Sequence, residues 1–555
     1  MKMRSHRISR SVAHGIALLC ALATSAPMVV QAAGVVGTGS AASCTDAALN
    51  AALAGGGLVT FNCGAGPATI TITGTMEVAV DTTIDGGGTI TFDGETSTGV
   101  LLVETGVTLF LQNLMLHGSA TLVNSSSAIR NNGTLMVSDC MLAGNLSFVG
   151  GAINNAGTLT ITDSSFSGNA ALSGGAVLNV GTMTVTTSTF AGNGAGFSAT
   201  ATKGCCGDGG AISNGGTLTI VDSTFSGNGA IEGGGIFNGG TTAGSGILTV
   251  INSTFSGNHS DFAYRFGAPI GGGYGGAIYS SGTLQVTDST LSGNSAAAAS
   301  GGASIFITNQ GGAATVTNTI IAASTGGNCS GASIVDGGHN LQFPGTDCGA
   351  SIRSADPQLD PAGLRDNGGP THTLALLPGS PAIDAGDAAV CAAAPVNNRD
   401  QRGFVRPGIG HTNCSIGAYE FNSPGPLISC VGDCNGNGAV TIDELISTVN
   451  IALGNAQPAA CVHGVLSGIS VTVAVIIQAV NNALTGCTSV CGNARVEPGA
   501  DCDDGGTCIG SNARTACTAE AECLGTGVCM GGAHVGWPVI PAMGTPAPVA
   551  RARGE

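Results

Sequence analysis

The sequence predicts a mainly β protein, a right-handed parallel β-helix (solenoid) followed by a small α-helical module and a disulfide-rich tail. Three observations carry the prediction. A phrase of alternating apolar strand, then Asp or Asn, then Phe-Ser-Gly-Asn or a close variant, ends at Asn145, Asn169, Asn193, Asn228, Asn258 and Asn294, with a period of 24 residues where nothing is inserted. The chain has 93 glycines and only 9% charged residues, so corners are plentiful and a conventional charged surface is not. Past residue 430 the pattern changes to an oxygen-rich loop followed by helical apolar spacing.

A fixed period of this length means stacked identical units in which one side-chain type recurs along an axis. In Leu159 to Asn169, the residues Leu159, Ile161 and Phe166 face one way and Asp163 begins a turn. Asp and Asn suit corners because their side chains bond nearby backbone, and Gly supplies positive φ. The corner position recurs at Asn113, Asp139, Asp163, Thr187, Asp222, Asn252, Asp288 and Asn318. A second polar column is expected at Asn131, Asn154, Asn179, Asn214 and Asn238, with Asn amides bonding along the axis. Strands too short to fold alone must pair with the coils before and after; at about 4.8 Å per coil, roughly ten coils make a rod of about 45 Å. Insertions at 194–208, 239–246 and 259–273 lengthen particular coils and project where binding usually resides.

Residues 1–33 read as a secretory signal peptide: Lys2, Arg4, Arg7 and Arg10 precede an apolar run from Ile16 to Val30, and Val30 to Ala32 offers a cleavage site. Cys20 follows Ala17, Leu18 and Leu19, which is not lipobox order. Beyond the leader no segment offers the ~20 apolar residues of a membrane span. Nineteen of the 20 cysteines lie beyond it, which fits an oxidising compartment, and Cys44 with Cys63, Cys329 with Cys348 and Cys391 with Cys414 are plausible local bridges. The expected location is extracellular or at the cell surface. A formal charge of −17 argues against a nucleic-acid partner.

The repeats at 34–350 carry Gly-Gly-Ala-Ile at Gly150 to Ile153, Gly209 to Ile212 and Gly275 to Ile278, alternating with the phrases at Phe166, Phe225 and Phe255. They resemble the repeats of polymorphic outer-membrane proteins, a resemblance that implies a β-helical, adhesive surface role. The long outer-membrane barrel that follows such passengers has no counterpart in this sequence. Residues 351–421 contain DNGGPTHTLAL, GSPAIDAG, DQRGFVRP and SIGAYEF. They are similar to the choice-of-anchor Q domain, which implies no catalysis. Within them Asp384, Asp400, Arg402, Arg406 and Glu420 concentrate charge, and the expectation is an ion-paired cap closing the open end of the rod.

After a Pro/Gly linker at 422–429, Asp433, Asn435, Asn437, Ala439, Thr441 and Glu444 occupy positions 1, 3, 5, 7, 9 and 12 of an EF-hand-type loop, with Gly438 at position 6. That pattern wraps oxygen ligands around a hard Ca2+ ion; the bland alternative is an Asn/Gly turn capping the next helix. Pro424, Gly425, Pro426 and Gly432 oppose an entering helix, and the exiting helix is expected to present Leu445, Val449 and Leu453 on one face. A loop plus exiting helix, echoed 31 residues later, resembles a dockerin half-module at 430–487. Its second copy carries Gly464, Leu466, Gly468 and Val475 at the ligand positions, so one Ca2+ site is expected and the departure argues against a cohesin-like partner. Residues 488–531, with CGNARVEPGADCDDG, resemble cysteine-rich repeats of bacterial secreted proteins; their spacing and compartment favour disulfides over zinc. The Pro/Ala-rich tail at 532–555 is expected to be disordered.

Two functions compete. The first is a non-catalytic display or adhesion rod contacting glycans or other surface ligands, with Arg265, Asp261, Tyr264 and Tyr274 in or beside an inserted loop as stacking and polar groups. The second is an extracellular polysaccharide-degrading enzyme of the pectate lyase or polygalacturonase class, carried on the same kind of rod. The corner Asp column is its candidate site, but Thr187 and Asn252 interrupt it and Arg130, Lys203 and Arg265 are isolated, so no catalytic residue is assigned. A clustered carboxylate and basic pair on one lateral face would favour the enzyme.

Overall fold

The computed structural model describes residues 34–94, 99–121, 127–196, 207–239, 245–265, 268–423, 431–434, 439–453, 456, 461, 471, 473–485, 507–509 and 528–530. The expected signal segment at 1–33, Lys203 and the C-terminal tail at 532–555 lie outside the described residues.

The chain folds as a parallel β-helix. One of its sheets has ten strands, from Met76–Val78 to Cys329–Gly331, each pairing in parallel with the strand one coil away. A second sheet bends at the corner column, and a third is built of two-residue strands such as Leu146–Ser147 and His259–Ser260. Alternation puts Leu135, Leu159, Met183, Leu218, Leu248 and Leu284 in register and fully inside. Phe166, Phe190, Phe225 and Phe255 stack inside with centroids 4.7–4.8 Å apart, the coil spacing itself.

Two buried amide ladders run beside this stack. The Nδ2 of Asn145, Asn169, Asn193, Asn228 and Asn258 each donates to Oδ1 of the next ladder residue at 2.8–3.0 Å. The second ladder is Asn131, Asn155, Asn179, Asn214 and Asn238, ending on Ser280. Asn155, not Asn154, occupies it: in strand Ile153–Asn155 alternation turns Ile153 and Asn155 inward, leaving Asn154 half-buried on the outside. Every residue of the corner column has φ between 46° and 55°. Asp and Asn tolerate this left-handed geometry, whereas the β-branched Thr187 is an outlier. The second glycine of Gly-Gly-Ala-Ile has a different reason: a Cβ on Gly151 would overlap the Gly175 carbonyl oxygen one coil on.

At the N-terminal end, helix Asp46–Leu53 buries Leu49 and Leu53 against the core, its Thr45 cap accepting from Ala48 N at 3.2 Å. The Cys44–Cys63 disulfide staples it. At the other end Cys348 and Ile352 join the same core, held by the Cys329–Cys348 disulfide and by Gln342 donating to Gly349 O and Ile352 O.

The charged segment does not lie where the end-cap expectation puts it. Residues 355–423 run along the flank of the rod, over the corner column and the strand that follows it. Leu376, Ala382 and Ile416 pack on Ile320, Ala322 and Leu341 of the coils. Asp400, Arg402, Arg406 and Glu420 are buried there, and Cys391–Cys414 closes the segment. Arg402 lies between the rings of Phe404 and Tyr419 at 3.9 and 3.7 Å and pairs with Asp400 at 2.6 Å. Asp384 stands apart, half-buried, accepting from the backbone of Thr412 and Asn413.

In the C-terminal module, helices Ile442–Ala452 and Val473–Thr485 pack on each other, and Cys434–Cys461 is a disulfide. The inner face of the first helix is Glu444, Thr448 and Ile451, while Leu453 is 67% exposed, contrary to the expected stripe. Beyond it, Thr507–Ile509 and Val528–Met530 form an antiparallel pair.

Candidate functional site

Three places gather chemistry. The first is a cleft of about 740 Å³ along the flank, on coils that precede the covered ones. Its wall carries the corner residues Asn113, Asp139, Asp163 and Thr187, and the edge of the flank segment (Leu364, Pro370, His372) closes one end. Asp139 and Asp163 are exposed and one coil apart; partial burial and the Asp139 charge hold Asp163 above its ordinary value. Thr187 Oγ1 donates to Asp163. Buried beneath them, Cys140 is a free thiol that burial pushes up to about 12, which makes it inert as a nucleophile. No Lys or Arg is among the lining residues.

The second lies on the outer surface of the ten-stranded sheet. Phe237, Tyr279 and Phe306 occupy one outward register position on successive coils, with centroids 5.0 and 5.2 Å apart. Tyr274 tilts against Phe306 at 4.7 Å. Beside these rings Asp208, Glu232 and Tyr274 share a second register column. Burial, then the charge of Asp208, lifts Glu232 to about 7, and the Tyr279 phenol bonds to it; burial also raises Asp208 and Tyr279. The patch therefore offers half-buried rings beside carboxyl groups that retain protons unusually well. Of the residues expected near the inserted loop, Tyr274 is here. Phe262–Arg265 and Ala268–Gly272 form an antiparallel hairpin nearby in sequence, and only the backbone of Tyr264 and Arg265 is described. Arg130 lies in the same outward column as Phe237 but several coils earlier. Asp208, Glu232, Phe237, Tyr279 and Phe306 escaped the sequence reading. Their signal was the 24-residue step from Asp208 to Glu232 and the phrase position shared with Asn154.

The third is the loop ahead of helix Ile442–Ala452. Asp433 and Glu444, its first and twelfth positions, are buried at 1% and 6% exposure. Glu444 Oε2 accepts from Thr441 N and Oγ1 at 2.8 Å, a capping box that holds this carboxylate at the helix start. Ala439 and Thr441 are exposed, while Asn435 and Asn437 lie outside the described residues. The sequence from 407 to 494 contains no Lys or Arg. Among the described residues no three His, Cys, Asp or Glu side chains are placed to hold a metal ion; the proposed donors include amide, hydroxyl and backbone oxygens. The described helices include none long and apolar enough to cross a membrane.

No family model, curated protein or solved structure matches the chain. Function is therefore read from these three places on the rod and the C-terminal module.

Proposed function

We propose that the protein is a secreted or cell-surface display rod that contacts glycans through the aromatic and carboxyl patch of Phe237, Tyr274, Tyr279, Phe306, Asp208 and Glu232. One observation carries the reading: apolar rings repeat at the coil spacing beside carboxyl groups able to donate as well as accept hydrogen bonds. Sugars present C–H faces and hydroxyls together, and such a strip meets both. The leader-like N-terminus and four disulfides among the described residues support export.

The dockerin-like loop of the same reading takes one Ca2+ through Asp433, Asn435, Asn437, Ala439 carbonyl, Thr441 and Glu444. Carboxylate, amide, hydroxyl and backbone oxygens at loop positions 1, 3, 5, 7, 9 and 12 are the donor set of a hard cation. When bound, the ion ties the loop to the start of helix Ile442–Ala452.

Affinity electrophoresis of the full chain through gels containing individual soluble polysaccharides tests the glycan reading. Retardation by at least one polysaccharide, lost in Tyr279→Ala and in Glu232→Gln with melting unchanged, is the expected result. Unchanged mobility across neutral, acidic and amino polysaccharides would sink it.

A further inference from the structure

The flank that the 355–423 segment covers is only half occupied. The outward column of the strand after the corner reads Met115, Met141, Ser165, Thr189, Thr224, Thr254, Thr290 and Ile320 in continuous register. From Thr224 onward its hydroxyls hold polypeptide. Thr224 donates to His372 O and Thr254 to Gln401 Oε1, both at 2.6 Å, and Thr290 accepts from Ala418 N at 3.0 Å. The corner column does the same. Asn252 donates to Arg399 O and accepts from the Arg406 guanidinium at 2.9 Å, while Asn318 accepts from Asp387 N at 2.8 Å.

Before Thr224 the same two columns continue as the open cleft, with Ser165 and Thr189 on one and Asp139, Asp163 and Thr187 on the other. The charge pattern differs at one step. Elsewhere each carboxylate of the column has an Asn or Thr donor one coil on: Thr187 for Asp163, Asn252 for Asp222 and Asn318 for Asp288. Asp139 is followed by another carboxylate, and Asn113 before it donates to Asp85 instead. Two stacked carboxylates, exposed to solvent in a cleft lined without Lys or Arg, call for a cation, and a guanidinium matches paired carboxylates as a planar fork.

We propose that this open half of the flank binds an extended polypeptide segment carrying arginine, in continuation of the way the protein holds its own 355–423 segment. The arginine sits over Asp139 and Asp163 as Arg406 sits over the Asn252 corner. Main-chain carbonyls of the bound segment meet the Ser165 and Thr189 hydroxyls, as His372 O meets Thr224. His372 and Pro370 set the end of the bound segment.

The test is fluorescence anisotropy of the full chain with a labelled nonapeptide of residues 399–407, RDQRGFVRP, and its all-citrulline counterpart, at low and high salt. Saturable binding is expected, weakened about tenfold or more by Asp139→Asn with Asp163→Asn, abolished by citrulline, and weakened by salt. Asn is at home in left-handed corners, so the double variant keeps the fold, and Thr189→Val provides a second, uncharged disruption. Thr254→Ala, under the built-in segment, leaves binding unchanged. No saturable binding at millimolar peptide, or equal binding by the double variant or the citrulline peptide, overturns the proposal. So does a neutral oligosaccharide that binds with the same Asp139 and Asp163 dependence while the peptide does not.

Discussion

Thr187→Asn should stabilise the rod, and the reason is local. Thr187 holds φ at 46° in a column whose other members are all Asp or Asn with φ of 48–55°. The left-handed region costs an L-residue roughly 1–2 kcal/mol, least for Asn and Asp, and a branched Cβ adds to it. Thr187 also donates to Asp163 Oδ1, so a replacement must keep that bond. Asparagine keeps it: Asn252 Nδ2 donates to Asp222 Oδ1, and Asn318 Nδ2 to Asp288 Oδ1 at 2.9 Å, from the same corner position. Relief of strain with the bond preserved gives a gain of about 1 kcal/mol. Thr187→Gly relieves the strain but loses the bond and loosens the unfolded chain, so it should fall near the parent. Thr187→Val keeps the strain and removes the donor, and should lose about 1 kcal/mol. Urea unfolding followed by far-ultraviolet circular dichroism ranks the three, with amide exchange around Asp163 localising the effect. If Asn lowers the midpoint, or Val matches the parent, corner strain and the ladder bond are not what sets stability there.

Asn193→Ala removes donors to Asn228 Oδ1 and Phe166 O and an acceptor for Asn169, stranding at least two buried groups; at ~1–3 kcal/mol each it should cost about 3–5 kcal/mol in urea unfolding, and a loss under about 1 would refute the ladder as a support. Burial, opposed by the Asn252 hydrogen bond, lifts Asp222 from 3.8 to about 7. The folded state therefore holds this proton more tightly than the unfolded one, so stability falls as pH rises from about 4 to 7 and then levels. Asp222→Asn should flatten that slope by about 2–4 kcal/mol, and an unchanged profile between pH 5 and 8 would count against it. Calorimetric Ca2+ titration of the full chain should show one site, lost in Asp433→Ala with Glu444→Ala; no heat at millimolar Ca2+ would remove calcium from the account.

The coil architecture was legible because side-chain identity repeats where geometry repeats. The Phe stack, the Phe-Ser-Gly-Asn ladder and the corner column could be read from spacing alone; the three disulfides closing loops of 19 to 23 residues were plausible neighbours in sequence whose pairing the fold decides. Asn154 was misplaced because two asparagines adjoin. Only Asn155 keeps the 24-residue step from Asn131 to Asn179, and strand alternation enforces that choice. The flank placement of residues 355–423 was not legible. Its contacts join residues as far as 177 apart in sequence, as in Gln401 to Thr224, and the threonines that receive it look like any solvent-facing strand position. The aromatic patch was half legible: Tyr274 was noticed for its loop, while Phe237, Tyr279 and Phe306 gain meaning only once coils with unequal insertions are brought into register.

That register also explains why one step of the corner column stands out. An Asp followed by Asn or Thr gains a donor one coil on, so a column selected for stability alone would avoid two carboxylates in succession. Asp139 and Asp163 break this pattern where the flank is open and not where it is covered. Asp139→Asn should therefore raise the unfolding midpoint slightly, since it removes a like-charge neighbour of Asp163. The same variant should weaken the arginine peptide. A gain in stability accompanied by a loss of binding is what a functional compromise predicts. A variant that loses both would mean that Asp139 supports the corner itself, and the open flank would then be the unfilled remainder of a structural face.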